Sequence, residues 1–291
     1  MNISTTRPLG PHRTSDPIRL IKRVYPHVWW GVSAAGATAA VRRLRDGHGR
    51  VADAGALLAH GAPLAFLGYL YTLQRGSTSE RLPALRAATW AGVAPAVLAP
   101  PRSVGRAAPA IASAALTEAY VRWYSPFGRP RAERLEVGSR MPDVPFLEDG
   151  RELRASELLG RPVAWFFIRG NWCPLCMAQS KAIADRYREI EALGAEVALV
   201  AAQDSDHSRE LAERLGVRFR YLSDPGLRAG RELGLLHEDG VPAGMPGYEA
   251  DTIFPTVVVT DARGEVVFCD QTDNYRVRPT PDTVIDALRR A

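Results

Sequence analysis

Hydrophobic and polar positions divide the 291-residue chain into two unlike parts. Residues 24–124 carry four long, nearly uncharged stretches, at 24–41, 54–74, 87–101 and 107–121, and each reads as a helix. Arginines punctuate them: Arg42, Arg43 and Arg45, then Arg75, Arg81 and Arg86, then Arg102 and Arg106. Beyond residue 135, strand-like apolar runs alternate with helix-like stretches, the mark of an α/β sheet. The continuous apolar run at 163–168 predicts a central strand. A helix is expected over 174–193, ended by Gly194, then a strand at 196–202 and a helix at 205–215 stopped by Gly216. A short strand at 219–222 precedes a helix running from Asp224-Pro225 to 233. Residues 237–252, rich in Gly and Pro, read as a loop. Residues 256–260 and 265–269 predict a hairpin around Asp261-Ala262-Arg263-Gly264, and 281–290 a closing helix.

Four segments follow from this pattern. Residues 1–23, with three prolines and five basic residues, read as a flexible basic tail. Residues 24–124 form an all-α, Ala-rich region, 125–134 a linker, and 135–291 an α/β domain.

The helical region raises the question of a membrane. A span needs about 20 apolar residues to cross about 30 Å of hydrocarbon. Residues 54–74 meet that length and 24–41 approach it, whereas 87–101 would reach only about 22 Å. Trp29, Trp30, Tyr69, Tyr71, Trp123 and Tyr124 stand near segment ends, as an aromatic belt would. Every connecting loop carries Arg, so the positive-inside rule does not orient the region. The expectation is a membrane region, with an even number of spans returning the second domain to the cytoplasmic side. The alternative is a soluble or peripheral cytoplasmic domain with an Ala-rich core.

Charge adds a second contrast. Residues 1–130 carry a net charge of +11 and residues 131–291 a net of −6. A basic segment suits an anionic surface. Almost every basic residue is Arg, with Lys22 and Lys181 the exceptions, so part of the bias is compositional. No nucleic-acid partner is expected.

The chemistry sits in Asn171-Trp172-Cys173-Pro174-Leu175-Cys176, between the apolar strand and the helix after it. A helix N-terminus favours negative charge, and the thiolate is the reactive form of cysteine. Two cysteines three apart in the first turn share one side of the helix, so one can attack a sulfur bonded to the other. Pro174 suits the first helical position. Cys173, nearest the helix start, is the expected nucleophile and Cys176 the resolving residue. A zinc site would need about four ligands, and no second Cys pair exists. No metal or bound cofactor is expected. Cys269 lies in the strand-like run Val266-Val267-Phe268-Cys269 and reads as an inert thiol.

Residues 135–291 resemble the thioredoxin-like superfamily, and within it the peroxiredoxin-like (AhpC/TSA) group. The resemblance is carried by the strand and Trp172-Cys173-Pro174-Leu175-Cys176, by Tyr221-Leu222-Ser223-Asp224-Pro225, by Ile253-Phe254-Pro255-Thr256, and by the segment from Asp270 to Pro279. It implies a central sheet flanked by helices and a thiol-dependent oxidoreductase. Such an enzyme would reduce a peroxide or exchange with a protein disulfide, and a thioredoxin-type reductant would regenerate it. It also implies that Pro255 is a cis-proline facing Cys173. Trp172 would shield the sulfur or contact substrate. Arg169 would stabilise the thiolate or a peroxide oxygen, with Arg276 or Arg278 as a second arginine. One departure stands out. Typical peroxiredoxins carry Pro-x-x-x-Thr/Ser-x-x-Cys, and here those positions hold Phe166 and Gly170. The orienting hydroxyl is missing, which shifts weight toward dithiol–disulfide exchange. The competing reading is a non-enzymatic, membrane-associated redox sensor or binding module on the same fold.

Overall fold

A computed structural model describes residues 16–47, 49–72, 76–100, 102–203 and 205–291. Four helices come first: α1 (Pro17–Arg45), α2 (Arg50–Thr72), α3 (Pro83–Leu98) and α4 (Val104–Ala119), the last running into a π-helical turn at Tyr120–Tyr124. Most of the expected tail lies outside the described residues. Its last part does not: residues 17–23 are the first turns of α1. Pro17 occupies the start of the helix and the Asp16 carboxylate accepts the Ile18 N–H.

Small residues let α2 and α3 touch. A Cβ on Gly92 would stand 2.3 Å from the Ala59 backbone nitrogen and 2.5 Å from the Gly55 carbonyl, so only glycine fits. The same bundle buries a charge cluster, with Asp53 fully enclosed and paired to Arg43 at 2.7 Å and Arg106 at 2.9 Å.

Of the described helices, only Arg50–Thr72 is long and apolar enough to cross a bilayer. Over a third of its most apolar stretch, 39%, is buried inside the protein. The helices α3 and α4 have 16 residues each, about 24 Å, too short for a 30 Å core. The expected membrane region with an even number of spans therefore reduces to a single candidate span among the described helices.

The second domain is a mixed seven-stranded sheet among the described residues. Its strands are β1 (Pro145–Glu148), β2 (Arg151–Arg154), β3 (Val163–Ile168), β4 (Glu196–Ala201), β5 (Arg220–Ser223), β8 (Thr256–Thr260) and β9 (Val266–Asp270), in the order β2-β1-β5-β4-β3-β8-β9. The pair β6 (Leu236–His237) and β7 (Thr252–Ile253) lies apart from it, inside the segment expected as loop. β3 runs parallel to β4 and antiparallel to β8, and every residue of it is buried. Its alternate residues feed two cores. Ala164, Phe166 and Ile168 face the layer that holds Cys173 and Cys176, whereas Val163, Trp165 and Phe167 face the opposite layer. Each such aromatic, once buried, contributes about 2 kcal/mol of apolar transfer.

The expected long helix after β3 is broken in two, α5 (Pro174–Ala184) and α6 (Tyr187–Ala192). The break falls at Arg186, whose guanidinium reaches across to Asp282 at 2.8 Å. Helices α7 (Ser205–Leu215) and α9 (Pro281–Leu288) stand where expected. In between, α8 is shortened to Arg228–Glu232, because Asp224 stays outside it and accepts the Ala229 and Gly230 N–H groups. This is the thioredoxin-like α/β arrangement anticipated for 135–291, with the all-helical unit before it.

The two parts are stitched together. Residues 125–134 are not a free linker: Phe127 N–H donates to the Asp273 carbonyl, and the Ala132 N–H to the Gln271 side chain. Arg276 is wholly buried. Its guanidinium donates to Ser125 Oγ, Thr78 Oγ1, and the carbonyls of Ser79 and Glu80, all at 2.8–2.9 Å. Replacing Arg276 by Ala should destabilise the union of the two parts by about 3 kcal/mol, since buried acceptors lose a charged donor. Lys should not rescue it, lacking the planar fork. Denaturant unfolding of the two variants checks this; wild-type stability in the Lys variant would refute it.

Candidate active site

β3 ends at Ile168 and delivers Arg169, Gly170, Asn171 and Trp172 before Cys173 caps α5. The Cys173 N–H donates to the Gly170 carbonyl at 3.1 Å, and its own carbonyl accepts from Met177 N–H at 3.0 Å. Asn171 fixes the loop from the other side: its amide nitrogen donates to the His207 carbonyl at 2.7 Å, and its carbonyl accepts from Gln203 at 3.1 Å. Both sulfurs are free thiols and both are buried, with Cys173 at 1% exposure.

The two thiols are pushed in opposite directions. Cys173 is brought down to about 5, first by the hydrogen bond from the Cys176 thiol, then by the positive charges of Arg169 and Arg278, against the cost of burial. Burial pushes Cys176 well up, and the hydrogen bond it gives to Cys173 adds to this. Arg278 and the Arg169 backbone N–H approach the Cys176 sulfur at 3.8 and 3.5 Å. A thiolate beside a protonated thiol results.

Arg169 is the buried cation of the site, at 6% exposure. Its Nη2 donates to the Gly240 carbonyl at 2.5 Å, and its own carbonyl accepts from Thr252 Oγ1 at 2.7 Å. The guanidinium lies 4.6 Å from the Trp172 ring, 5.4 Å from Tyr275 and 5.8 Å from Phe127. No carboxylate pairs with it among the described residues, and its Nε has no partner. The Trp172 indole N–H is likewise buried without a partner.

These groups line a small cavity of about 60 Å³ beside Cys173. Its roof comes from the helical unit: Trp29 and Trp30 of α1, Phe66 and Tyr71 of α2, and Tyr124. Four of the six aromatics read as a membrane belt thus face the thiol cavity instead. A run of aromatics with few charges looks alike in either role.

Pro255 is buried just before β8, which pairs Thr256 with Phe167, so it stands beside the end of β3. It does not line the Cys173 cavity; its carbonyl accepts from Arg129 at 3.1 Å. Arg276, as described above, is spent on joining the two parts, and Arg278 is the second arginine that reaches the sulfurs. Cys269 packs on the opposite face of the sheet, remote from the pair. His237 is held neutral by burial and by the Arg169, Lys22 and Arg129 charges. No cluster that could hold a metal exists among the described residues.

Residues 137–269 match the model of the AhpC/TSA family. The C-terminal domain is peroxiredoxin-like. Chloroplastic peroxiredoxin Q from Oryza sativa subsp. japonica is 30% identical over 103 residues, 35% of this chain and 48% of that protein. Peroxiredoxin Q from Populus jackii is 31% identical over 88 residues, 30% and 41% of the two chains. Nucleoredoxin of Mus musculus is 26% identical over 119 residues, 41% and 25% of the two. Reduced Prx3 from Vibrio vulnificus superposes with a TM-score of 0.47 at 19% identity, covering 53% of this chain and 98% of that one. The chain spans about half the length of the curated peroxiredoxin Q of rice.

Within the peroxiredoxin-like domain the two motif departures have physical reasons. Phe166 is a strand residue packed in the core beneath the thiols. Gly170 sits at φ +134°, and a Cβ there would stand 2.8 Å from the Trp172 indole nitrogen. A threonine cannot occupy that position while Trp172 keeps its place.

Ultraviolet titration of thiolate should show one sulfur ionising at about 5. The signal is lost as pH falls through that value. Cys176→Ala should move the transition upward, because the strongest single support is the Cys176 hydrogen bond. A wild-type transition at the ordinary cysteine value would sink this account.

Proposed function

We propose that the peroxiredoxin-like domain is a thiol-dependent peroxidase that works through Cys173 and Cys176. The observation that carries this is the buried pair of free thiols, Cys173 and Cys176, beside Arg169 and Arg278, an arrangement that favours Cys173 as thiolate and Cys176 as thiol. The Cys173 sulfur attacks one oxygen of a hydroperoxide. The O–O bond breaks, the leaving oxygen takes a proton and departs as alcohol or water, and Cys173 becomes a sulfenic acid. The Cys176 sulfur then attacks the Cys173 sulfur. Its proton leaves with the displaced hydroxide as water, and the disulfide forms. External thiols restore the pair.

Size favours a peroxide over a protein disulfide as the first electrophile. The cavity beside Cys173 is small, about 60 Å³, and Cys173 is covered. In place of the missing hydroxyl, two residues that line it each carry a buried donor without a partner, the Trp172 indole N–H and Arg169 Nε. They are the groups available to hold the peroxide oxygens as negative charge develops.

Mass spectrometry after hydrogen peroxide tests this. Wild type should form the Cys173–Cys176 disulfide, Cys176→Ser should accumulate sulfenic acid at Cys173, and Cys173→Ser should do neither. Oxidation no faster than that of free cysteine would overturn the peroxidase reading.

We also infer a peripheral membrane association. Leu20, Ile21, Val24 and Val28 are exposed at helical spacing on α1, and Leu58, Trp90, Leu98 and Ile111 are exposed elsewhere on the helical unit. The full chain should float with anionic vesicles, and Ile21→Glu with Val28→Glu should weaken this severalfold. A chain that stays in the soluble fraction at low salt refutes it.

A further inference from the structure

A second cavity of about 470 Å³ opens beside the first, between the start of α1 and the β6–β7 segment. That volume lies in the range of small-molecule sites, about 300–1,000 Å³. Arg169, Tyr124, Tyr275 and Pro242 line both cavities, so the larger one adjoins the thiol cavity across these side chains. Phe127 and Phe254 add an aromatic floor.

Charge within this cleft is unevenly satisfied. At its mouth Glu238 pairs with Arg19, and Asp239 pairs with Arg23 at 3.5 Å. Asp16 caps α1. These are the carboxylates that line the cleft. Two cations that line the cleft make no ion pair with these carboxylates, although Asp273 acts on Lys22 from outside it. Lys22 donates to the Pro126 carbonyl at 3.0 Å, and Arg169 is buried with its Nε unpartnered. Once Cys173 is tied up in a disulfide, the buried Arg169 guanidinium loses the thiolate as its counter-charge, and a ligand anion would restore one.

Access points the same way. Cys173 is covered by α1, α2 and the π turn, so a protein reductant would have to displace that roof to reach its sulfur. A small molecule would not.

We propose that this cleft binds the reductant of the Cys173–Cys176 disulfide, and that the reductant is a low-molecular-weight thiol bearing a carboxylate. The proposal rests on the dithiol reading above. The carboxylate sits between Lys22 and Arg169, and the thiolate passes Arg169 to Cys173. It attacks the Cys173 sulfur, the S–S bond breaks, and Cys176 leaves and takes up a proton. A second thiol, as thiolate, attacks the ligand sulfur of the mixed disulfide. It releases the small disulfide and returns Cys173 as thiolate. Two thiols thus supply the two electrons.

The test uses the full chain, oxidised with diamide so that it does not depend on peroxide. N-acetylcysteine, its neutral amide, and thioredoxin with its reductase are compared as reductants, the small thiols per unit of thiolate. The anion should be about fivefold faster than the amide, the size of one partly buried ion pair. Lys22→Glu should bring the ratio to about one. Equal wild-type rates for acid and amide, or thioredoxin outpacing both at equal concentration, would overturn the proposal. If diamide yields no Cys173–Cys176 disulfide, both readings fall. If diamide yields it and peroxide does not, only the peroxidase reading falls.

Discussion

A thiolate kept out of water needs donors and positive charge that are kept out of water with it, and this requirement shapes the centre of the molecule. Cys173 has that support from Cys176, Arg169 and Arg278. Arg169 in turn must be held without a carboxylate, because a carboxylate would cancel the field at the sulfur. The structure holds it by the Gly240 carbonyl and by the faces of Trp172, Tyr275 and Phe127. Weak aromatic contacts replace an ion pair. The Trp172 placement then dictates Gly170, since any side chain there would strike the indole. The loss of the family's hydroxyl position is thus the consequence of how the arginine is stacked.

The helical unit is part of the same solution. A sulfur at a helix start on the edge of a sheet is normally reached by solvent. Here Trp29, Trp30, Phe66, Tyr71 and Tyr124 close it off, and Leu70 of α2 joins the core beneath the thiols. The closure is held by Arg276 and by the Tyr120–Tyr275 hydroxyl contact at 2.5 Å. Tyr275, Arg276 and Arg278 follow one another in a single segment. One face of it stacks on Arg169, one joins the helical unit, and one reaches Cys176. The segment couples the roof to the redox pair through side chains two residues apart.

How much of this could be read in advance depended on the range of the interaction. The strand at 163–168, the thiol pair, the α7 helix and the β8–β9 hairpin are local patterns, and the sequence carried them. The β1–β2 hairpin was missed although Asp149-Gly150 is a turn signal, with φ of +48° and +81°. Its strands are only four residues long and β2 is mostly exposed, so the apolar pattern is faint. The roof was missed for a different reason. Aromatics at the ends of apolar helices satisfy a membrane interface and a protein interior equally well, and only the tertiary arrangement separates them. Arg276 and Arg278 were indistinguishable in sequence. The turn closed by the Val277 N–H on the Asn274 carbonyl holds Arg276 against the helical unit, while Arg278 beyond it reaches the sulfur.

In the peroxidase cycle proposed above, the opposite shifts of the two cysteines fit an order of events. Cys176 remains protonated while Cys173 is a thiolate, so it serves first as the hydrogen-bond donor that a threonine would otherwise supply. Burial is the main cause that holds Cys176 up and it persists, but once Cys173 has become a neutral sulfenic acid the negative charge that added to it is gone. Arg278 and the Arg169 amide, already at its sulfur, then favour its ionisation and attack. In that proposed cycle the dithiol spacing, which looks like a departure from the peroxidatic motif, would replace a fixed hydroxyl with a donor that later becomes the second nucleophile. Donation and resolution are two states of one side chain, separated by the charge on its neighbour.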